Sequence, residues 1–96
     1  MGVHEMLREK REDILRIAAK HGATNVRVFG SVARGAADEK SDIDLLVTIE
    51  KGRSLLDHAA LWIELEEFLG CKVDVISDKG LKPRIRERVL DEAVPL

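Results

Sequence analysis

Cysteine is almost absent. Cys71 stands alone among 96 residues, which excludes an internal disulfide and any multi-cysteine zinc site. Lying between Gly70 and an apolar segment, it is expected to be a buried structural thiol. Tyrosine is missing, and the other aromatics are only Phe29, Trp62 and Phe68. A stacking platform for single-stranded nucleic acid is therefore poorly supplied. Neither sign of charge dominates: the formal net charge is −2, so direct nucleic-acid binding is not expected. No apolar run approaches the ~20 residues that span a bilayer, and no membrane role is expected. The opening MGVHEMLREKRED is charged and lacks the apolar centre of a secretion signal, so a reducing cytoplasm is the expected compartment. His4, His21 and His58 share no metal-ligand spacing.

What is present reads as one small α/β unit. Hydrophobic residues make up 45% of the chain and charged residues 35%, enough for a core and a solvated surface. Apolar side chains from Val3 to Ala18 follow helical spacing, interrupted at Lys10 and Arg11, with Gly22 as the stop. Asn25–Phe29 alternates with period two and predicts a strand; Ser31–Arg34 can form a helical turn, and Ala37–Lys40 a loop. Ile43–Ile49 is a second strand. Ser54 with Asp57 resembles a capping box that opens a helix through Leu61, Trp62, Leu65, Phe68 and Leu69, closed by Gly70. Cys71–Ile76 is a third strand. Pro83 suits the first turn of a last helix that places Leu81, Ile85 and Val89 on one face. The order α-β-α-β-α-β-α predicts a small three-stranded sheet flanked by helices.

Against this background the stretch FGSVARGAADEKSDIDLLV stands out, because it sets Asp42 and Asp44 at the mouth of an apolar strand. Two residues apart on a strand, their carboxylates share a face and repel unless a cation or water intervenes. Asp74 repeats the oddity between Val73 and Val75. Each acid alone is ordinary for a solvated strand edge. If the third strand neighbours the second, all three can converge, and hard oxygen donors suit Mg²⁺ that shares its shell with phosphates. Gly30 and Ser31 follow a strand and open a helical turn, an arrangement that aims backbone N–H groups at an anion. A phosphate cradle beside a carboxylate metal site points to a nucleoside triphosphate and to phosphoryl or nucleotidyl transfer.

GSVARG followed by SDIDLLV resembles the Gly-Ser…Asp-x-Asp signature of the DNA-polymerase-β-type nucleotidyltransferase superfamily. The likeness extends through VDVI and LKPRIRERVLDEA and is closest to the minimal nucleotidyltransferases, many of them antitoxins paired with HEPN-type ribonuclease toxins. It implies a single nucleotidyltransferase domain over residues 1–96, with a mixed sheet and two Mg²⁺ ions. Asp42 and Asp44 would bind both metals. Asp74 would bind the metal that activates the attacking hydroxyl, and could help deprotonate it. Gly30 and Ser31 would hold the triphosphate of ATP, the implied nucleotide donor. Arg34 could reach a phosphate or pair with Asp38 or Glu39.

The antitoxin branch transfers AMP to a tyrosine hydroxyl of its toxin. A nucleotidyltransferase for a small-molecule hydroxyl and a non-enzymatic antitoxin that acts by binding are the alternatives. So small a domain is expected to borrow its acceptor site from another chain or from a second copy of itself. Lys79, Lys82, Arg84, Arg86 and Arg88 form a basic cluster that either binds a phosphate or acidic surface or is simply solvated beside Glu87, Asp91 and Glu92.

Overall fold

In the computed structural model of the protein, residues 3–33 and 42–96 are described. The order is α1 (Val3–Glu9), α2 (Arg11–Lys20), β1 (Ala23–Phe29), α3 (Gly30–Ala33), β2 (Ile43–Ile49), α4 (Leu55–Leu69), β3 (Val73–Ser77), α5 (Pro83–Glu92) and β4 (Val94–Pro95), with a 3₁₀ turn at Asp78–Gly80 before α5. The strands form one sheet in the order β3-β2-β1-β4. β1 runs antiparallel to β2 and to β4, whereas β2 and β3 are parallel. The parallel pair requires a crossover, and α4 supplies it. Among the described residues no helix is long and apolar enough to cross a membrane.

The mixed α/β class is the one expected, but the sheet has four strands rather than three. β4 is two residues long and contains Pro95, too short for any alternation to reveal it. It is fixed instead by pairing with Arg27 and Val28, by Leu96 N–H donating to Val26 O (3.0 Å), and by Arg11 Nε donating to Leu96 O (2.8 Å). The N-terminal helical segment is two helices that break at Lys10, where the apolar stripe was interrupted. β1 begins at Ala23, before the expected Asn25, because a bulge hides the period. Asn25 has φ +52°, and the register with β2 shifts between Thr24 and Arg27. β3 is Val73–Ser77, two residues later at its start than Cys71. α4 carries the expected capping box: Leu56 N–H donates to Ser54 Oγ (3.2 Å), and Ser54 N–H donates to Asp57 Oδ2 (2.9 Å).

The sheet buries its two faces differently. Val26, Val28, Ile43, Leu45, Val47, Val73 and Val75 point to α2 and α4 and pack on Ile14, Ala18, Leu61, Leu65 and Leu69. The opposite face holds a smaller cluster of Leu46, Leu81 and Val89, with Phe29, Ile76 and Ala93 at its margin. Ile85 does not join that cluster: it is 42% exposed, so α5 packs through Val89, and Leu81 joins the cluster from the segment just before the helix. Cys71 is only partly buried, against the larger core. Burial pushes its thiol up in pKa, a shift that Lys10 opposes and Asp42 and Glu66 reinforce, consistent with an inert structural role.

Candidate active site

Alternation places Asp44 and Asp74 on the smaller-core face, since their neighbours Ile43, Leu45, Val73 and Val75 all enter the larger core. The parallel register then decides how they meet. Asp44 is the direct partner of Asp74, and across the other edge of β2 it is the partner of Phe29, the residue before Gly30. Gly30, Asp44 and Asp74 therefore form a row across the ends of three adjacent strands. Asp42 lies just ahead of β2, exposed, at the same end of the sheet.

Gly30 fits this row in a way few other residues could. Its φ is +72°, a conformation that L side chains rarely adopt, and Asp44 Oδ2 occupies the space where a Cβ would sit, with Asp44 Cγ 3.1 Å from it. The turn into α3 thus brings backbone directly against a carboxylate. A side chain there would push the acid out of the row. The side chain of Ser31, and Arg34 with the loop expected at Ala37–Lys40, lie outside the described residues.

A cavity of about 550 Å³ opens on the far side of the row, between the exposed edge of β3 and α4. Asp42 and Asp74 both line it. Ala59, Trp62, Ile63 and Glu66 form the α4 wall, and Lys72 and Val73 the strand wall. β3 is an edge strand, and two of its outward backbone groups are engaged by α4 side chains. Val73 N–H donates to Glu66 Oε2 (3.1 Å), and His58 Nε2 lies 2.7 Å from Val75 O, where it donates. Trp62 stacks on His58 with ring centroids 6.0 Å apart.

Among the described residues no three His, Cys, Asp or Glu side chains draw close enough together to enclose a metal ion. The acids stand in pairs instead: Asp44 beside Asp74 by register, and Asp42 with Asp74 around one cavity. That donor set fits Mg²⁺, which takes one or two carboxylates and completes its shell with water and substrate phosphates rather than with an all-protein cage.

At the other end of the same face, Arg27, Thr48 and Asp78 form a network with no counterpart in the sequence reading. Thr48 Oγ1 donates to Asp78 Oδ2 (2.6 Å), and Arg27 Nη2 donates to the same oxygen (3.2 Å) and to Thr48 Oγ1 (3.4 Å). Burial raises the Asp78 pKa, but these bonds and the Arg27 charge outweigh it, so the carboxyl is held below its ordinary range. The network ties the turn after β3 to β1 and β2. The polar residues carried no short-range signal, because the three are brought together only by the sheet. The groove residues Ile63 and Glu66 were also missed; their one signal is that Leu56, Ala59 and Ile63 repeat at helical spacing on a face the core does not use.

A small mixed sheet that ends in a glycine turn and registered acids defines a protein of the nucleotidyl-transfer class. The chain belongs to the nucleotidyltransferase domain family, whose pattern matches residues 7–96, and it is a nucleotidyltransferase. It is 44% identical over 88 residues to a candidate protein adenylyltransferase of Methanocaldococcus jannaschii, covering 92% of this chain and 95% of that one. It is 43% identical over 75 residues to the protein adenylyltransferase MntA of Thermococcus cleftensis, covering 78% of this chain and 76% of that one. A solved structure of a candidate minimal nucleotidyltransferase superposes with a TM-score of 0.87 at 61% identity, over 96% of this chain and 94% of that one. The fold also recurs in a toxin–antitoxin crystal structure with AMP-PNP, at a TM-score of 0.73 and 21% identity, over 91% of this chain and 69% of that one.

Proposed function

We propose that this chain is a Mg²⁺-dependent protein adenylyltransferase, an antitoxin that transfers AMP from ATP to a tyrosine hydroxyl of a partner HEPN-type ribonuclease toxin. The observation that carries this reading is the row of Gly30, Asp44 and Asp74 across three strand ends, which sets a phosphate-accepting turn beside two acids. The names of the relatives above supply the acceptor class, a protein. The intact acids favour catalysis over an antitoxin that acts by binding alone, because a pure binder gains nothing from neighbouring carboxylates.

In the reaction, the phenol oxygen attacks the α-phosphorus in line. The new bond is the tyrosyl O–P bond, the bond broken joins the α-phosphorus to the α,β-bridging oxygen, and pyrophosphate leaves. When bound, two Mg²⁺ ions supply positive charge that acidifies the acceptor hydroxyl and offsets charge on the leaving group. Asp42 and Asp44 would hold both ions, and Asp74 would hold the one that activates the attacking hydroxyl. Asp74 would also help to take the phenol proton. Gly30 lets the triphosphate approach the backbone, Ser31 donates to it, and Arg34 is the residue assigned to a further phosphate contact.

The test is incubation with Mg²⁺, each nucleoside triphosphate and the partner toxin, followed by intact mass spectrometry of the toxin. An AMP adduct and loss of ribonuclease activity are expected with ATP and not with Asp42→Asn combined with Asp44→Asn. If the double variant neutralises the toxin as well as wild type and no adduct forms, the antitoxin acts by binding.

A further inference from the structure

We infer that the groove between β3 and α4 is where the acceptor docks, receiving the tyrosine-bearing segment of the partner through side chains rather than by strand addition. This rests on the proposed adenylyl transfer, and four observations carry it further.

The first is direction. An in-line attack brings the acceptor to the α-phosphorus from the side opposite the leaving pyrophosphate. Gly30 marks the phosphate end of the row and Asp74 the other end. The cavity opens at the Asp74 end and has Asp42 in its wall as well. Asp42 and Asp74 are thus shared between the cavity lining and the proposed metal site. At about 550 Å³ the cavity is within the range of roughly 300–1,000 Å³ typical of ligand sites, ample for a phenol ring.

The second is the state of the β3 edge. An open edge strand invites another strand to pair with it. Here Glu66 occupies the outward N–H of Val73 and His58 the outward carbonyl of Val75. Two of the outward groups that a pairing strand would need are thereby already engaged, which disfavours β-augmentation and leaves the groove to side chains.

The third is the apolar surface that continues from the groove. Ile63 is 57% exposed, and Leu56 and Leu55, both about two turns back along α4, are 81% and 85% exposed. A phenol alone needs only the groove. A stripe running on past it along the helix matches a macromolecular acceptor with its own apolar face.

The fourth is charge. Asp42, Glu66 and Asp74 line the groove against a single cation, Lys72. The complementary segment carries lysine or arginine near its tyrosine, and such pairing favours encounter more than final affinity.

The probes are Ile63→Glu and Ala59→Arg, both at exposed positions outside the core, so unfolding curves should match wild type. The Michaelis constant for the partner toxin should rise at least tenfold in each. kcat at saturating toxin and affinity for a non-hydrolysable ATP analogue with Mg²⁺ should stay unchanged. Equilibrium binding of the toxin without nucleotide should weaken by the same factor. If both variants modify and bind the toxin as wild type does, the groove is not the acceptor site, although adenylyl transfer itself stands. If wild type leaves no adduct, the adenylyl reading fails, and the binding measurement still decides the docking surface: a tenfold loss sustains it, equal binding overturns it. If wild type sediments as a dimer that Ile63→Glu splits, a second copy fills the groove and the assignment to the toxin is overturned.

Discussion

On β2 the side chains of Ile43, Leu45 and Val47 enter the larger core, while Asp44, Leu46 and Thr48, alternating with them, face the side of α5. One face of the sheet is apolar along its whole length and is covered by α2 and α4. The other is apolar only at its centre, at Leu46, and carries acids at one end and the Arg27–Thr48–Asp78 network at the other. The first face supplies the burial that holds the fold. The second gives up burial at its ends and is able to place charges where a ligand can reach them. Period-two alternation lets neighbouring residues serve these opposite ends without a change of backbone.

Substitutions at adjacent residues separate the two faces most sharply. Leu45→Ala removes a fully buried side chain from the larger core, and urea unfolding should show a loss of about 2–5 kcal/mol. Activity per folded molecule should change little. Asp44→Asn keeps the shape of the side chain, so stability should move by less than about 1 kcal/mol. Its effect should appear in transfer, with a fall of at least about 10²-fold. A comparable stability loss in both variants would break the division, because Asp44 would then be a structural acid.

Two glycines with nearly the same backbone sharpen the point at lower cost. Gly30 has φ +72° and Gly70, which ends α4, has φ +68°. Alanine at either position forces a left-handed conformation that costs about 1–2 kcal/mol. Only at Gly30 does the new methyl group meet the Asp44 carboxylate; at Gly70 it points into open space. Gly30→Ala should therefore lose ATP affinity, measured by calorimetry with Mg²⁺, whereas Gly70→Ala should lose stability alone. Equal ATP affinity in the two variants would remove Gly30 from the site.

The parts visible in the sequence were those set by local chemistry. The Ile43–Ile49 strand, the capping box at Ser54 and Asp57, and the Gly70 stop depend on neighbours within a few residues, and the structure has them where they were expected. The α/β class followed from the alternation of such segments. β4 and the bulge at Asn25 escaped, one for lack of length and the other because a bulge cancels the period that would reveal its strand. The pairing of Asp44 with Asp74 was legible only as a condition, that the third strand neighbour the second, and the parallel register meets it. The groove was not legible, since Trp62 reads as core from its spacing, and the partly engaged edge of β3 depends on how α4 lies across it.

The polar network at the far end of the face tests whether charge placed there contributes to the fold. The Asp78 side chain is 19% exposed, and its pKa is lowered because Thr48 and Arg27 favour the ionised form more than burial disfavours it. A lowered folded pKa means that the unfolded chain binds protons more readily. The contribution is fully present above the unfolded carboxylate value of about 3.9 and is lost as pH falls through the folded value below it. Asp78→Asn should cost roughly 1 kcal/mol at neutral pH, in line with the loss of a charge-assisted hydrogen bond. It should also flatten the fall in stability below about pH 4 relative to wild type. Transfer activity should be unchanged, since Asp78 sits at the opposite end of the face from Asp44 and Asp74. If the acid limb is as steep in Asp78→Asn as in wild type, other carboxylates set it and the network orients the turn without stabilising it. If activity falls while the acid limb flattens, the two ends of this face are coupled, and the division extends only between the faces and not along the second one.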